Sequence, residues 1–169
     1  MDKEIVNKIN LLAKKDQELR SKIFAYHYKA TKRDWNELEI LDKDNCEAIK
    51  KIVDEYGLIT ISKFGKEASF NAWLIIQHAV HDLPFMKKYL SLMKSNLEDI
   101  NLQNYAYLQD RLLLIDKKPQ IYGTQVIQDK KTNKFKPNKL KYSVEKTNEL
   151  RRKIGLESIE KYLEKFNID

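Results

Sequence analysis

Ala72-Trp-Leu-Ile-Ile-Gln-His-Ala-Val-His-Asp82 decides how the rest of the chain is read. Its apolar residues surround the helical axis instead of forming one stripe, which predicts a buried helix. Gln77, His78, His81 and Asp82 interrupt that apolar surface at spacings of three and four, which predicts that all four crowd onto one side. A buried polar group left unpaired costs about 1–3 kcal/mol, so that side must face a polar cavity, a ligand or a hydrogen-bond network. Imidazole works as acid, base or metal ligand near neutral pH. His78, His81 and Asp82 are the residues that would chelate a divalent metal, although H-x-x-H-D is not one of the specific zinc signatures. The plainer alternative is a structural polar network.

Outward from this helix, the periodicity is mostly helical. Ile5, Ile9, Leu12, Leu19, Ile23 and Tyr26 recur at helical spacing and predict a long amphipathic helix from about Lys3 to Thr31. Asp34 to Asp42 reads as a connector, and Asp44 or Asn45 as the cap of a second helix that ends near Tyr56, before Gly57. Leu58 to Phe64 is short and β-branched, a small strand or an extended connector. Helices follow over Gly65–Val80, Leu83–Asn96 (with Pro84 at its start) and Asn96–Leu114. Ile121–Asp129 and Phe135–Tyr142 read as two strands joined by the turn Lys130-Lys131-Thr132-Asn133-Lys134, with Pro137 on an edge. Ser143 opens a helix, Gly155 interrupts it, and Leu156 to Phe166 closes the chain. The expected fold class is mainly α: a single compact helical domain over residues 1–169 with a small β hairpin at about residues 120–142.

Composition narrows the function classes. Four Gly and three Pro exclude low-complexity and turn-dense β architecture, and a lone Cys46 excludes a disulfide framework. No apolar run reaches about 18 residues, so no membrane span is expected. Met1 to Asn10 lacks the apolar core of a signal peptide, which points to the cytoplasm. The formal charge of +7 suggests an anionic partner, but it is localised. Residues 1–115 hold 18 basic and 17 acidic side chains, residues 142–169 hold six of each, and residues 116–141 hold eight Lys against Asp116 and Asp129. Lys130, Lys131, Lys134 and Lys136 therefore form either a phosphate-tracking patch for nucleic acid or a solvated tip whose lysines blunt an exposed strand edge. The absence of Arg and the thin aromatic content there favour the solvated tip.

Three further constellations carry polar chemistry. In Tyr105-Ala-Tyr-Leu-Gln-Asp-Arg111, Asp110-Arg111 reads first as a structural ion pair at the end of an apolar helix; the functional alternative has Arg111 hold an anion and Asp110 orient a His or a metal. In Lys118-Pro-Gln-Ile-Tyr-Gly-Thr-Gln125, period two places Gln120, Tyr122 and Thr124 on one face of a strand, with Gly123 marking a bulge or a close backbone approach. On the first helix, Asp16, Arg20 and His27 share a face, where Asp16-Arg20 reads equally as an i,i+4 pair worth only about 0.2–0.5 kcal/mol. No P-loop, dinucleotide fingerprint or nucleophile elbow is present.

Asp16-Gln17 with Arg20, Trp73 with Gln77-His78-Ala79 and His81-Asp82, Tyr107-Leu108 with Asp110-Arg111, and Pro119-Gln120-Ile-Tyr-Gly-Thr-Gln125 resemble a bacterial family of uncharacterised domains, as do Arg151-Arg152 and Gly155-Leu156. The resemblance implies that these blocks form one unit, and it brings no established activity. The chain departs from the pattern at Met86, where the family is associated with Gln, and at Leu58-Ile59, where it is associated with Trp-Pro.

These readings converge on a polar pocket for acid/base or metal-assisted hydrolysis or transfer on a phosphate-bearing or other polar substrate. His78, His81, Asp82, Asp110 and Arg111 are the expected catalytic residues. Gln77, Gln120, Tyr122, Thr124, Gln125 and Arg20 are the expected substrate contacts. A polar or anionic small molecule is the expected partner, and a divalent metal the only cofactor the residues suggest. The rival is a non-catalytic interaction module with a buried polar network and a Lys-rich hairpin on an anionic partner.

Overall fold

The computed structural model describes residues 2–25 and 28–167. The chain is mainly α-helical with one small antiparallel sheet, and it divides into two compact units, one up to Ile100 and one from Asn101 onward.

The first unit contains α1 (Lys3–Ile23), α2 (Lys32–Tyr56), α3 (Ile61–Phe64), α4 (Lys66–His78) and α5 (Leu83–Lys94). Helices α1, α2 and α4 pack on one another. On α1 the core-facing stripe runs Ile9, Ala13, Asp16, Ile23, so a carboxylate sits where the spacing asks for an apolar residue. Asn10 pairs with Asn71 and Asp16 with His78, so along this face α1 and α4 run in the same direction. Arg20 reaches Asp42 and Lys22 reaches Asp34, so α1 and α2 are antiparallel.

Helix α1 stops at Ile23, short of the expected Thr31, and Tyr26 and His27 lie outside the described residues. Thr31 instead caps α2. Its hydroxyl accepts from the Asp34 N–H while the Asp34 carboxylate accepts from the Thr31 N–H at 2.8 Å, a reciprocal capping box. Asp34 to Asp42 is therefore helical, not a connector, and neither Asp44 nor Asn45 is a cap. The stripe Leu38, Asp42, Cys46, Ile49 was hidden because a charged residue holds one of its positions. Gly57 ends α2 as expected, at φ +76°. Leu58 to Phe64 is neither strand nor extended throughout, because Ile61–Phe64 closes one helical turn.

Helix α4 ends at His78, two residues before the expected Val80. Ala79 to His81 forms a turn, and Asp82 is the N-cap of α5, with Pro84 in that helix's first turn. Proline suits a helix start and disfavours helical backbone just before it, which breaks the helix between His78 and Leu83. His81 and Asp82 therefore do not share a helical face with Gln77 and His78.

The second unit contains α6 (Leu102–Ile115), β1 (Val126–Gln128), β2 (Phe135–Pro137), α7 (Val144–Lys153) and α8 (Ile159–Glu164). The strands pair antiparallel with Val126 opposite Pro137 and Gln128 opposite Phe135. They are shorter than the sequence suggests: Gln120 makes a single bridge to Leu140 and 121–125 is a loop, so Gln120, Tyr122 and Thr124 do not alternate along a strand. Pro137 sits in a two-stranded sheet, where every strand is an edge. Gly123 has φ +67°, and an added Cβ would come 3.0 Å from the Leu140 side chain and 3.3 Å from Ile159, so the expected close approach is real.

Replacing Thr31 by Ala removes the hydroxyl of the capping box and should cost about 1 kcal/mol, read as a lowered urea midpoint with unchanged helical circular dichroism. An unchanged midpoint would show that the box does not hold the start of α2.

Candidate active site

Within the first unit, three helices bring Asp16, Arg20, Asp42 and His78 together. Asp16 and Arg20 lie one turn apart on α1, Asp42 sits in α2, and His78 is the last residue of α4. The Asp16 side chain is 1% exposed, while those of Arg20, Asp42 and His78 are 17%, 17% and 19% exposed. The centre thus has a buried floor and a partly open rim.

Asp16 is its hub. Its Oδ1 accepts from Arg20 Nε at 3.0 Å and lies 3.3 Å from His78 Nδ1, while Oδ2 accepts from Gln17 Nε2 at 2.7 Å. Arg20 also donates to Asp42 Oδ1, so its guanidinium links two carboxylates. Burial pushes the Asp16 carboxyl upward, but the hydrogen bond and charge of His78, the charge of Arg20 and the Gln17 amide outweigh it and leave Asp16 below the ordinary value. At Asp42 the balance reverses. Burial outweighs Arg20 and His78, so this carboxyl sits above the ordinary range. One centre therefore holds two carboxyls shifted in opposite directions, an arrangement suited to dividing acid and base roles.

Asp16, Asp42 and His78 each offer a ligand atom, all within 4.8 Å of one another, and no other such group of His, Cys, Asp and Glu occurs among the described residues. His78, His81 and Asp82 do not come together in such a group among the described residues; Asp16 and Asp42 lie beside His78 instead. His81 is exposed in the turn after α4. The Asp82 carboxylate accepts from the Phe85 N–H at 3.0 Å and from Lys50 Nζ at 2.8 Å, and the Lys50 contact is the largest influence holding it below the ordinary value. Its work is to cap α5.

The second unit gathers a different set. Asp110, fully buried on α6, accepts from the N–H groups of Ile121 (2.7 Å), Tyr122 (3.2 Å) and Thr124 (3.0 Å) and from the Thr124 hydroxyl (3.0 Å). Burial outweighs these donors and raises its carboxyl above the ordinary value. Arg151, also fully buried, donates to the carbonyls of Tyr122 (2.7 Å) and Glu157 (2.6 Å). The Gln120 amide donates to the carbonyls of Gln125 and Asn138, and its oxygen accepts the Gln125 N–H at 3.0 Å. Gln120 and Thr124 are buried, so these expected substrate contacts serve the loop's own hydrogen bonds. Tyr122 and Gln125 are half-buried in the same loop, Gln77 is buried on α4, and Arg111 is half-buried on α6.

Asp42 and Arg151 were missed as site or core residues. The available signal was stripe position: Asp16, Arg20 and Asp42 occupy core-facing helical positions where a free charge would be costly.

The fold and centre define a mainly helical protein whose first unit carries an Asp–Arg–Asp–His cluster. The model of the family of unknown function DUF6624 matches residues 4–168, and the chain belongs to that family. No curated protein and no solved structure gives a significant match.

Two outcomes follow. Asp110→Asn sets an NH2 group against backbone N–H donors and should cost about 2–4 kcal/mol by urea denaturation. A loss below about 0.5 kcal/mol would show that the loop does not depend on this carboxylate. Asp16, with its carboxyl depressed, contributes stability that is complete above its unfolded value of about 4 and is lost as pH falls through the folded value. The stability gap between the natural chain and Asp16→Asn should thus be widest near neutral pH and narrow below about pH 4. A gap that does not change with pH contradicts this.

Proposed function

We propose that the Asp16–His78 pair, with Arg20 and Asp42, is an acid/base centre for hydrolysis or group transfer on a polar, phosphate-bearing small molecule in the cytoplasm. The observation that carries this reading is the 3.3 Å approach of His78 Nδ1 to a buried, depressed carboxylate on a side chain that is still 19% exposed. An ionised Asp16 can only accept, so Nδ1 carries a proton, and in the neutral imidazole the lone pair then falls on Nε2. A carboxylate-oriented imidazole with a free Nε2 is the arrangement a general base requires. Asp42, whose carboxyl burial shifts toward the protonated form, is the second carboxyl of the centre available for proton transfer. Arg20 holds both carboxylates and places positive charge beside a developing anion.

A second reading has its own support. Lys130, Lys131 and Lys134 stand exposed at the hairpin tip, whereas Lys136 is held by Asp129 at 2.5 Å. These lysines fit an interaction module that contacts nucleic acid, with the first unit as a scaffold.

A panel of chromogenic phosphomonoesters, phosphodiesters and carboxylic esters separates the two. The acid/base reading expects turnover by the natural chain and a loss of at least about 100-fold in His78→Gln at unchanged melting temperature. Equal turnover in both proteins defeats it. No turnover, together with salt-sensitive oligonucleotide binding that disappears when Lys130, Lys131 and Lys134 become Ala, favours the interaction module.

A further inference from the structure

We infer that Asp16, Asp42 and His78 form a site for one divalent first-row transition-metal ion, with Arg20 as its built-in competitor. The inference deepens the acid/base reading of the same residues by naming a second occupant.

The donor set comes from three helices, so neighbouring carboxylates on one surface do not explain it. One imidazole and two carboxylates suit a borderline cation of the zinc, cobalt or manganese kind better than calcium, which takes oxygen ligands only. Zinc-to-ligand distances of about 2.0–2.2 Å put adjacent tetrahedral ligands about 3.3–3.6 Å apart. Asp16 Oδ1 and His78 Nδ1 are already 3.3 Å apart. All ligand atoms lie within 4.8 Å, so the widest pair need close by no more than about 1.5 Å, within reach of a carboxylate rotation.

The present geometry also shows where a cation belongs. The Arg20 guanidinium bonds to both carboxylates and supplies one positive charge against their two negative charges. It leaves the cluster one charge short of balance while His78 is neutral. Beyond the bond from Arg20, Asp42 accepts no other hydrogen bond among the described residues. His78 Nε2 likewise has no hydrogen-bond partner among them. A dication that displaces Arg20 would gain Asp16, Asp42 and the Nδ1 lone pair at once, with the imidazole proton moving to Nε2. Its open coordination positions would take water, as the 17–19% exposure of the rim side chains permits. Arg20 and metal are thus alternative occupants, and metal uptake withholds Nδ1–H from its bond to Asp16.

Cobalt(II) titration of the intact chain, followed by visible absorption and calorimetry, tests the inference. One equivalent should bind with a tetrahedral or five-coordinate d–d band. His78→Gln and Asp42→Asn should each weaken binding at least tenfold, and Arg20→Gln should tighten it at least tenfold, with circular dichroism confirming that each variant is folded. No saturable binding by either the natural chain or Arg20→Gln overturns the inference, as does binding that all three substitutions leave unchanged. Should Arg20→Gln fail to fold, the natural chain, His78→Gln and Asp42→Asn decide alone. The readout is independent of turnover: metal uptake without catalysis defeats only the acid/base reading, and catalysis dependent on His78 without metal uptake defeats only this inference.

Discussion

The carboxylate of Asp16 is the constraint on which the first unit turns. It is 1% exposed, and a lone charge at that depth would cost several kcal/mol or take up a proton. It stays ionised because Arg20, His78 and Gln17 surround it, and those partners come from α1 itself and from α4. Arg20 then carries the constraint to Asp42 on α2. Three helices are thereby held at one height along their axes, since sliding any of them by a turn would strand a buried charge. Apolar packing of Ile9, Ala13, Ile49 and Ile76 drives their association, and the charge cluster selects one register.

The second unit meets the same difficulty differently. Asp110 is fully buried and is satisfied by backbone N–H groups of the Gln120–Gln125 loop, while Arg151 takes carbonyls of the same loop. The loop's peptide units therefore lie between a buried anion and a buried cation, and the peptide dipoles, donating to one and accepting from the other, replace a direct ion pair. This explains how a segment with little regular structure can be ordered. It also explains the place of Gly123, whose positive φ and lack of a Cβ let the backbone pass Leu140 and Ile159.

Much of the architecture was legible because helices advertise themselves through period and caps. Gly57, Pro84 and Ser143 mark real boundaries. The misplaced start of α2 has a single cause. Its first turns are charged, and its apolar stripe passes through Asp42, so residues that belong to the centre disguised the helix that carries them. The strands are shorter than the sequence pattern implies for a related reason: Gln120, Tyr122 and Thr124 alternate in sequence, but side-chain-to-backbone bonds to Asp110 and Gln120 shape that loop.

By itself the sequence determined the helical class, the small hairpin, the localisation of the excess lysines and the helical spacing of Asp16 from Arg20 and of Gln77 and His78 among apolar neighbours. These are local properties, set by periodicity and composition. Only the tertiary structure decided which polar residues meet. It put Asp42 against Arg20, moved Asp82 into a cap and His81 onto the surface, and assigned Asp110 and Gln120 to the support of a loop. Helical spacing fixes neighbours within one turn, but a partner 62 positions away in the chain, as His78 is from Asp16, is set only by how helices pack.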